Sequence, residues 1–214
     1  MVHADAAILP DYIKTKADLY EHVCLQLTGL LADQRSWVSN LSNASSILYH
    51  SLNAFSKEDH YNWAGFYLLS PLLPGRVEVK TPTLLLGPFH GLPACQSIAS
   101  VPGKGVCADA SALLPPRTVK VDRTDDYPGH IACDSASQSE CVVPLVVPRS
   151  RVVSFAEASS SSQGLGTEWA GRGDDEGIIV GVLDIDCEAE EGFDQEDVKG
   201  LERVVKIIVD ACDW

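Results

Sequence analysis

Two aspartates stand at the end of the most apolar segment of the chain. Asp184 and Asp186 alternate with apolar residues, and this period of two places both carboxylates on one face of a strand. Two like charges that lie close together raise one pKa unless a cation sits between them, and a ligand ammonium is such a cation. Glu140 opens the preceding apolar strand and is a third candidate for this group. The same spacing also fits a strand that simply emerges into solvent.

Three of the seven cysteines lie in segments that carry more polar chemistry than a core needs. Cys107 follows a Gly-Lys-Gly turn at a predicted helix start, where backbone N–H groups and Lys104 favour a thiolate or the carboxylate of a substrate. Cys133 lies in a loop rich in Gly, Pro, His and Asp, and such loops often carry function. Cys95 ends a Gly-Leu-Pro-Ala-Cys segment. For Cys107 and Cys133, a buried structural thiol is the alternative interpretation.

The cysteine count is odd, and residues Met1–Lys14 carry neither a basic flank nor a continuous apolar run. A secretory signal and a disulfide-stapled secreted domain are therefore disfavoured. No pair of cysteines has Cys-x-x-Cys spacing, which also disfavours a zinc ribbon or a thioredoxin-like motif. We expect a cytoplasmic protein whose cysteines are buried, reactive or a mixture of the two.

The elements that must position these residues are two helices, then a series of strands with one short helix among them, and then a terminal helix. Helices are predicted over Ala17–Leu31, Arg35–Leu52, Val106–Leu113 and Asp194–Asp213. Strands are predicted over Asn62–Leu69, Arg76–Thr81, Leu84–Phe89, Ala94–Ala99, Thr118–Val121, Cys141–Val147 and Gly177–Cys187. Because short connections join most of the strands, this order predicts an α+β domain with a largely antiparallel central sheet.

The length of 214 residues fits a single domain over 1–214 with one sizeable core. Residues 149–176 include the low-complexity segment Ser159–Gly164, and we expect them to form a mobile insertion between two core strands. The net charge of −14 repels phosphate backbones and disfavours nucleic acid as a partner. The longest apolar runs are too short to span a membrane.

Eight short segments together give the sequence a resemblance to the free methionine-R-sulfoxide reductases, a catalytic branch of the GAF domain family. The segments are Asn62–Tyr67, Leu86–Phe89, Ala94–Gln96, Gly103–Cys107, Tyr127–Asp134, Ser139–Glu140, Val143–Pro144 and Gly181–Asp186. The likeness runs from about Ala17 to Cys212, with the insertion excepted. A generic GAF sensor would not be expected to hold three cysteines at these places.

The resemblance implies a GAF-like fold, with a central six-stranded antiparallel sheet flanked by helices, usually as a homodimer. It implies that Cys133 attacks the sulfoxide sulfur and that Cys95 and Cys107 are resolving partners. The family counterpart of Cys107 can also be interpreted as the nucleophile. An external dithiol, expected to be thioredoxin, would restore the enzyme, and the chemistry needs no metal and no organic cofactor.

The resemblance also implies a substrate site. The ammonium group of free methionine-R-sulfoxide would meet Glu140, Asp184 and Asp186. Trp63 and Tyr67 would by residue type alone be expected to pack in a core. In the family they correspond to an indole that walls the pocket around the S-methyl group and to a tyrosine nearby.

Two other function classes fit parts of the sequence. A non-catalytic GAF-type sensor of a small amino acid or nucleotide would keep the pocket but would not need the cysteines. A redox-sensing interaction protein could use the serine- and glycine-rich insertion as its docking element and would not turn over a sulfoxide.

Overall fold

The computed structural model describes residues 3–69, 81–130, 134–151 and 177–214 of the chain. Within these ranges the helices are α1 (Lys16–Leu30), α2 (Trp37–Phe55), α3 (Val106–Ala112) and α4 (Gln195–Ala211). The strands are β1 (Trp63–Leu69), β2 (Thr83–Gly91), β3 (Ser97–Ala99), β4 (Val119–Val121), β5 (Ser139–Pro148) and β6 (Gly177–Cys187). Short 3₁₀ helices lie at His3–Ala7, Thr124–Asp126 and Arg149–Arg151.

The six strands form an antiparallel sheet in the order β3-β2-β1-β6-β5-β4, as expected. The central pair is β1 and β6, in which Trp63 is the cross-strand neighbour of Asp186. On the other side of β6, Glu140 of β5 is also paired with Asp186. The register therefore brings two of the predicted carboxylates and one predicted aromatic residue to the same end of the sheet.

The sheet separates two apolar clusters, and alternate residues of β1 contribute to each. Ala64, Phe66 and Leu68 pack in the larger cluster, together with side chains of α1, α2 and α4. Trp63 and Tyr67 belong to the smaller cluster, which includes residues of α3. The smaller cluster lies beside the cavity that is described below. One face of β1 therefore packs in the main core, and its other face lies towards the cavity.

The two long terminal helices are joined by a buried polar network. Asp197 of α4 is fully buried, and it accepts hydrogen bonds from Lys16 and from the hydroxyl of Tyr20 at 2.9 Å. Asp194 is the N-cap of α4, as its sequence position predicts, and it accepts from two backbone N–H groups of the first turn. A buried charge of this kind is tolerated because it is paired and hydrogen-bonded.

The predicted elements that fall on described residues agree with the structure except at their boundaries. The strand predicted over Ala94–Ala99 is limited to Ser97–Ala99, and Ala94 and Cys95 instead line a cavity. Apart from Thr81, the strand predicted over Arg76–Thr81 lies outside the described residues, as does the predicted insertion from 152 to 176. Among the helices of the described ranges, none is long and apolar enough to cross a bilayer.

The packing of α1 on α4 gives a first testable prediction. A Cβ at Gly200 would lie 2.1 to 2.4 Å from ring atoms of Tyr20, whereas a Cβ at the exposed Gly29 would meet nothing within 4 Å. We expect Gly200→Ala to lower the free energy of unfolding by about 1–3 kcal/mol because the core is overpacked. Gly29→Ala is the matched control and should raise it by roughly 0.5–1 kcal/mol through helix propensity. Urea unfolding measures both, and equal effects would contradict this account.

Candidate active site

A cavity of about 180 Å³ opens between α3 and the ends of the central strands. It is apolar at one end and ionisable at the other, which is the common composition of a small-molecule site. The following residues line it: Trp63, Tyr67, Leu92, Pro93, Ala94, Cys95, Ser97, Ile98, Ala99, Lys104, Gly105, Val106, Cys107, Ala108, His130, Asp134, Ser137, Glu140, Asp184 and Asp186. Each predicted site residue that the structure describes is in this set.

Two rings of a three-ring aromatic stack, those of Trp63 and Tyr67, line one wall of the cavity. Trp63 lies between Phe89 and Tyr67, with ring centroids 5.3 and 5.8 Å away and planes tilted by 15° and 23°. Gly65 makes this stack possible, because a Cβ there would lie 2.5 Å from the Trp63 ring. The Tyr67 hydroxyl donates to the carbonyl oxygen of Cys95 at 2.9 Å, so the wall also fixes the backbone at a predicted reactive cysteine.

Three carboxyl groups form the polar end of the cavity. Glu140 and Asp184 are almost fully buried, with 5% and 6% of their surfaces exposed, and they are hydrogen-bonded to each other. Burial raises the pKa of Asp184 to about 6, although hydrogen bonds from Cys107 and Glu140 act in the opposite direction. Burial, followed by the neighbouring carboxylates, raises the pKa values of Glu140 and Asp186 well above the ordinary range. These groups therefore hold protons more tightly than ordinary acids do.

Cys107 joins the carboxyl groups from the first turn of α3. Its Sγ donates to Asp184 Oδ2 at 3.2 Å and to Glu140 Oε1 at 3.9 Å. Burial and then the charges of Asp184 and Glu140 raise the thiol pKa well above its usual value. Of the two groups that the helix start and Lys104 were expected to favour, a thiolate at Cys107 is contradicted, because burial and two acidic neighbours in direct contact outweigh one short helix. That this helix start favours the carboxylate of a substrate stays a prediction.

Two buried polar atoms in the cavity wall have no partner among the described residues. One is the indole Nε1 of Trp63, which is a donor, and the other is Oδ1 of Asp184, which is an acceptor. A buried polar atom without a partner costs free energy, and a bound ligand would remove that cost. The cavity therefore offers one donor and one acceptor to an incoming molecule.

The loop on either side of Cys133 reaches the cavity, although residues 131–133 lie outside the described residues. On one flank, His130 Nε2 lies 3.7 Å from Glu140 Oε2, and burial lowers the pKa of this imidazole. On the other flank, Asp134 lines the cavity and accepts from Nδ2 of Asn62 at 3.0 Å. The role predicted for Cys133 remains a prediction, but both ends of its segment lie at the site.

Sequence reasoning missed a brace between the turn that precedes α3, the helix of Cys107, and the loop that precedes Cys133. Asp109 accepts from the backbone N–H of Gly103 and from the Tyr127 hydroxyl, both at 2.6 Å. A Cβ at Gly129 would lie 2.3 Å from the Gly103 carbonyl oxygen, so the loops touch at two glycines. The sequence signal that could have indicated this brace was Asp109, an aspartate in the first turn of a predicted helix that follows a Gly-Lys-Gly turn.

The four cysteines without a predicted role lie away from the cavity. Each of them is buried in the larger apolar cluster: Cys24, Cys141, Cys187 and Cys212. Burial raises the pKa values of all four thiols, most of all that of Cys141. Their environment is that of packing residues, because a thiol of high pKa in apolar surroundings is unreactive.

No protein-family model matches the chain. It is similar to the free methionine-R-sulfoxide reductase of Saccharomyces cerevisiae, with 36% identity over 197 residues that cover 92% of this chain and 87% of the yeast protein. A solved GAF domain matches 100% of this chain and 98% of its own at a TM-score of 0.75 and 34% identity. The Neisseria meningitidis free methionine-R-sulfoxide reductase in complex with its substrate covers 96% of this chain and 95% of its own, at a TM-score of 0.68 and 32% identity. The GAF-like fold is thereby confirmed.

The raised pKa of Asp184 has a consequence for stability that can be measured. Its folded value of about 6 lies above the ordinary unfolded value of about 3.9, so the folded protein binds the proton more tightly. The associated stability is fully present below about pH 4 and is lost as the pH rises through about 6, by up to about 3 kcal/mol. We expect Asp184→Asn to flatten this part of the curve in urea unfolding between pH 4 and pH 7. Parallel curves for the variant and the unmodified protein would contradict the assignment.

Proposed function

The chain belongs to the free methionine-R-sulfoxide reductase family, and we propose that it reduces free methionine-R-sulfoxide to methionine in the cavity beside α3. One observation carries the proposal. A buried thiol and three carboxyl groups, Cys107 with Glu140, Asp184 and Asp186, meet at one end of a small cavity whose other wall is the indole of Trp63. A free amino acid with a short apolar side chain matches both ends of such a site.

The polar end suits the α-ammonium group of a free amino acid. Asp184 Oδ1 is buried and lacks a partner among the described residues, and an ammonium supplies both a hydrogen bond and a positive charge. At the same time it offsets the mutual repulsion of the carboxylates. Trp63 Nε1 has a hydrogen to donate, and the substrate carries acceptor oxygens on its sulfoxide and its carboxylate.

The apolar wall suits the S-methyl end of the substrate. The Trp63 ring is held between Phe89 and Tyr67, so it presents a rigid surface that costs little conformational entropy when a ligand binds. Methyl and thioether groups pack favourably against aromatic rings. The stack and the carboxyl groups lie side by side in the sheet, since Trp63 and Asp186 are cross-strand neighbours.

The first chemical step needs an acid, because a sulfoxide is a poor electrophile until its oxygen receives a proton or a strong hydrogen bond. Glu140 and Asp186 have pKa values raised well above those of ordinary carboxylic acids, so each can hold a proton for this purpose at neutral pH. A cysteine thiolate attacks the sulfoxide sulfur, and the protonated oxygen then passes from that sulfur to the cysteine sulfur. The sulfur–oxygen bond of the substrate breaks as a sulfur–oxygen bond to the cysteine forms. The products are methionine and a cysteine sulfenic acid that retains the oxygen.

We assign the attack to Cys133 and the later condensation to Cys95 and Cys107. The high pKa of Cys107 beside Asp184 disfavours a thiolate there in the free protein, which argues against Cys107 as the first nucleophile. A thiol of the pair Cys95 and Cys107 then attacks the sulfenic acid, a disulfide forms, and the oxygen leaves as water. Cys95 lines the same cavity and is suited to this role.

Reduction of the disulfide by an external dithiol completes the cycle, and we propose thioredoxin as this reductant and the cytoplasm as its compartment. Two electrons pass from the external dithiol to the enzyme disulfide, and both enzyme thiols are regenerated. No step requires a metal or an organic cofactor. We further propose a homodimer, on the strength of the family membership alone.

Single-turnover chemistry tests the assignment of the nucleophile. Prereduced Cys133→Ser should form no methionine from free methionine-R-sulfoxide, because the attacking sulfur is missing. Cys95→Ser should release its first methionine normally and should lose thioredoxin-dependent turnover, because a resolving thiol acts later. Cys24→Ser, which alters a buried thiol outside the cavity, is the control and should match the unmodified protein. Full first turnover by Cys133→Ser would transfer the role to Cys107, and no methionine from the unmodified protein would favour the sensor hypothesis.

Substrate specificity tests the carboxyl groups. N-acetyl-methionine-R-sulfoxide has no ammonium, so it leaves Glu140 and Asp184 unpaired and should lose about 2–5 kcal/mol, or roughly 30- to 5,000-fold in kcat/KM. Asp184→Asn should weaken use of the free amino acid more than use of the acetylated compound. The measurement is kcat/KM for both substrates on both proteins. Similar values for the two substrates on the unmodified protein would contradict the role of the carboxylates.

A further inference from the structure

The thiol and the carboxyl groups of the cavity are arranged like the ligands of a metal ion. Cys107 Sγ, one oxygen of Glu140 and one oxygen of Asp184 all lie within 4.8 Å of one another, and all three residues are buried. The sulfur is 3.2 Å from Asp184 Oδ2 and 3.9 Å from Glu140 Oε1. We propose that this end of the cavity binds Zn²⁺, or a similar thiophilic divalent cation such as Cd²⁺, through Cys107, Glu140 and Asp184.

The distances fit a tetrahedral ion with little movement. Zinc binds thiolate sulfur at about 2.3 Å and carboxylate oxygen at about 2.0–2.2 Å, so a sulfur and an oxygen on one ion lie about 3.6 Å apart. The two sulfur–oxygen distances in the cavity fall on either side of that value. A shift of a few tenths of an ångström in each side chain would complete the three-ligand geometry, and the zinc–sulfur bond would replace the thiol S–H bond with release of the proton to solvent.

The local charge favours a cation of more than one charge. Asp186 lies next to the proposed ligands, so the deprotonated cluster carries up to four negative charges when the thiolate is included. Oδ1 of Asp184 is buried and has no partner among the described residues, which leaves a lone pair for an ion or a second bond to it. A monovalent ammonium offsets only part of this charge, whereas a divalent ion offsets twice as much.

The ligand types select the metal. Mg²⁺ and Ca²⁺ prefer six or more oxygen ligands, and they gain little from sulfur. Zn²⁺ and Cd²⁺ accept a thiolate with carboxylates, and the imidazole of His130, whose Nε2 lies 3.7 Å from Glu140 Oε2, is a neutral donor for a fourth position.

A metal at this place would act as a competitive inhibitor. It would take the carboxylates that we assign to the substrate ammonium, and it would tie up a thiol that we assign to disulfide formation. This consequence depends on the proposed function, whereas the metal site itself depends only on the geometry of the three ligands. Free zinc would then switch the reductase off without any covalent modification.

Calorimetric titration of the full, prereduced chain with zinc chloride tests the site, with a phosphine reductant and no competing thiol. We expect one Zn²⁺ per chain, and we expect Cys107→Ser and Asp184→Asn each to weaken it by at least about 100-fold. Cys24→Ser is the matched control, because Cys24 and Cys107 each expose 6% of their surface and Cys24 lies in the other cluster. Its affinity for zinc should be that of the unmodified protein.

Titration with cobalt chloride reports directly on whether a thiolate binds the metal, which a loss of affinity caused by general unfolding would not show. Co²⁺ bound to a thiolate has a sulfur-to-metal charge-transfer band, which we expect in the unmodified protein and in Cys24→Ser but not in Cys107→Ser. The proposed metal site is contradicted if Cys107→Ser keeps both the charge-transfer band and the affinity for zinc. It is also contradicted if Cys95→Ser abolishes the band and the affinity while Cys107→Ser does not. Displacement of the zinc by magnesium chloride at equal concentration would contradict the proposed ligands as well.

A separate assay distinguishes this proposal from the proposed function. Zinc chloride should raise the concentration of methionine sulfoxide needed for half-maximal methionine formation in single turnover, with no change at saturating substrate. Binding of zinc through Cys107 and Asp184 without such competition would uphold the metal site and contradict the substrate position. Binding of zinc by a protein that reduces no sulfoxide would uphold the metal site and contradict the function.

Discussion

The packing of two buried carboxyl groups, Glu140 and Asp184, beside the partly buried Asp186 is the constraint on which the site depends. Glu140 and Asp184 are almost completely removed from water, and Asp186 is beside them on the same strand pair. Buried carboxyl groups without a cation must take up protons or find a ligand, and each outcome is chemically useful here. In the reaction that we propose, proton uptake supplies the acid that activates the sulfoxide, and release of the proton creates a receptor for the substrate ammonium.

This arrangement needs a scaffold that does not relax. The carboxyl groups project from β5 and β6 near the middle of a six-stranded sheet, so neither strand can shift without breaking pairs on both sides. The large apolar cluster and the Lys16–Asp197–Tyr20 network fix the opposite face through α1 and α4. The packing of the helices on the sheet therefore stabilises the fold enough to hold these carboxyl groups close together, although they would otherwise repel one another.

Sequence reasoning located most of this site because its strongest signals are local. The two aspartates stand out in an apolar strand, and Cys107 and the aromatic residues lie in recognisable segments. The high pKa of Cys107 was not predictable, because it depends on Asp184, which is 77 residues away along the chain. The Asp109 brace and the stack of Phe89 on Trp63 were missed for the same reason, since both join residues that are distant in sequence.

The alternation along β1 has a consequence for how such a protein can change. Trp63, Tyr67 and Leu69 belong to the cluster beside the cavity, and Ala64, Phe66 and Leu68 belong to the core under the helices. One strand therefore carries two interleaved sets of residues: one set contributes to the cavity side and the other contributes to the main core. Substitutions on the cavity side can change which ligand the cavity binds while the packing of the main core under the helices is kept. A one-residue deletion in β1 would turn the residues that follow it to the opposite face of the sheet, so that cavity residues would face the core and core residues would face the cavity. The number of residues in this strand is therefore more tightly constrained than the identity of any single residue in it.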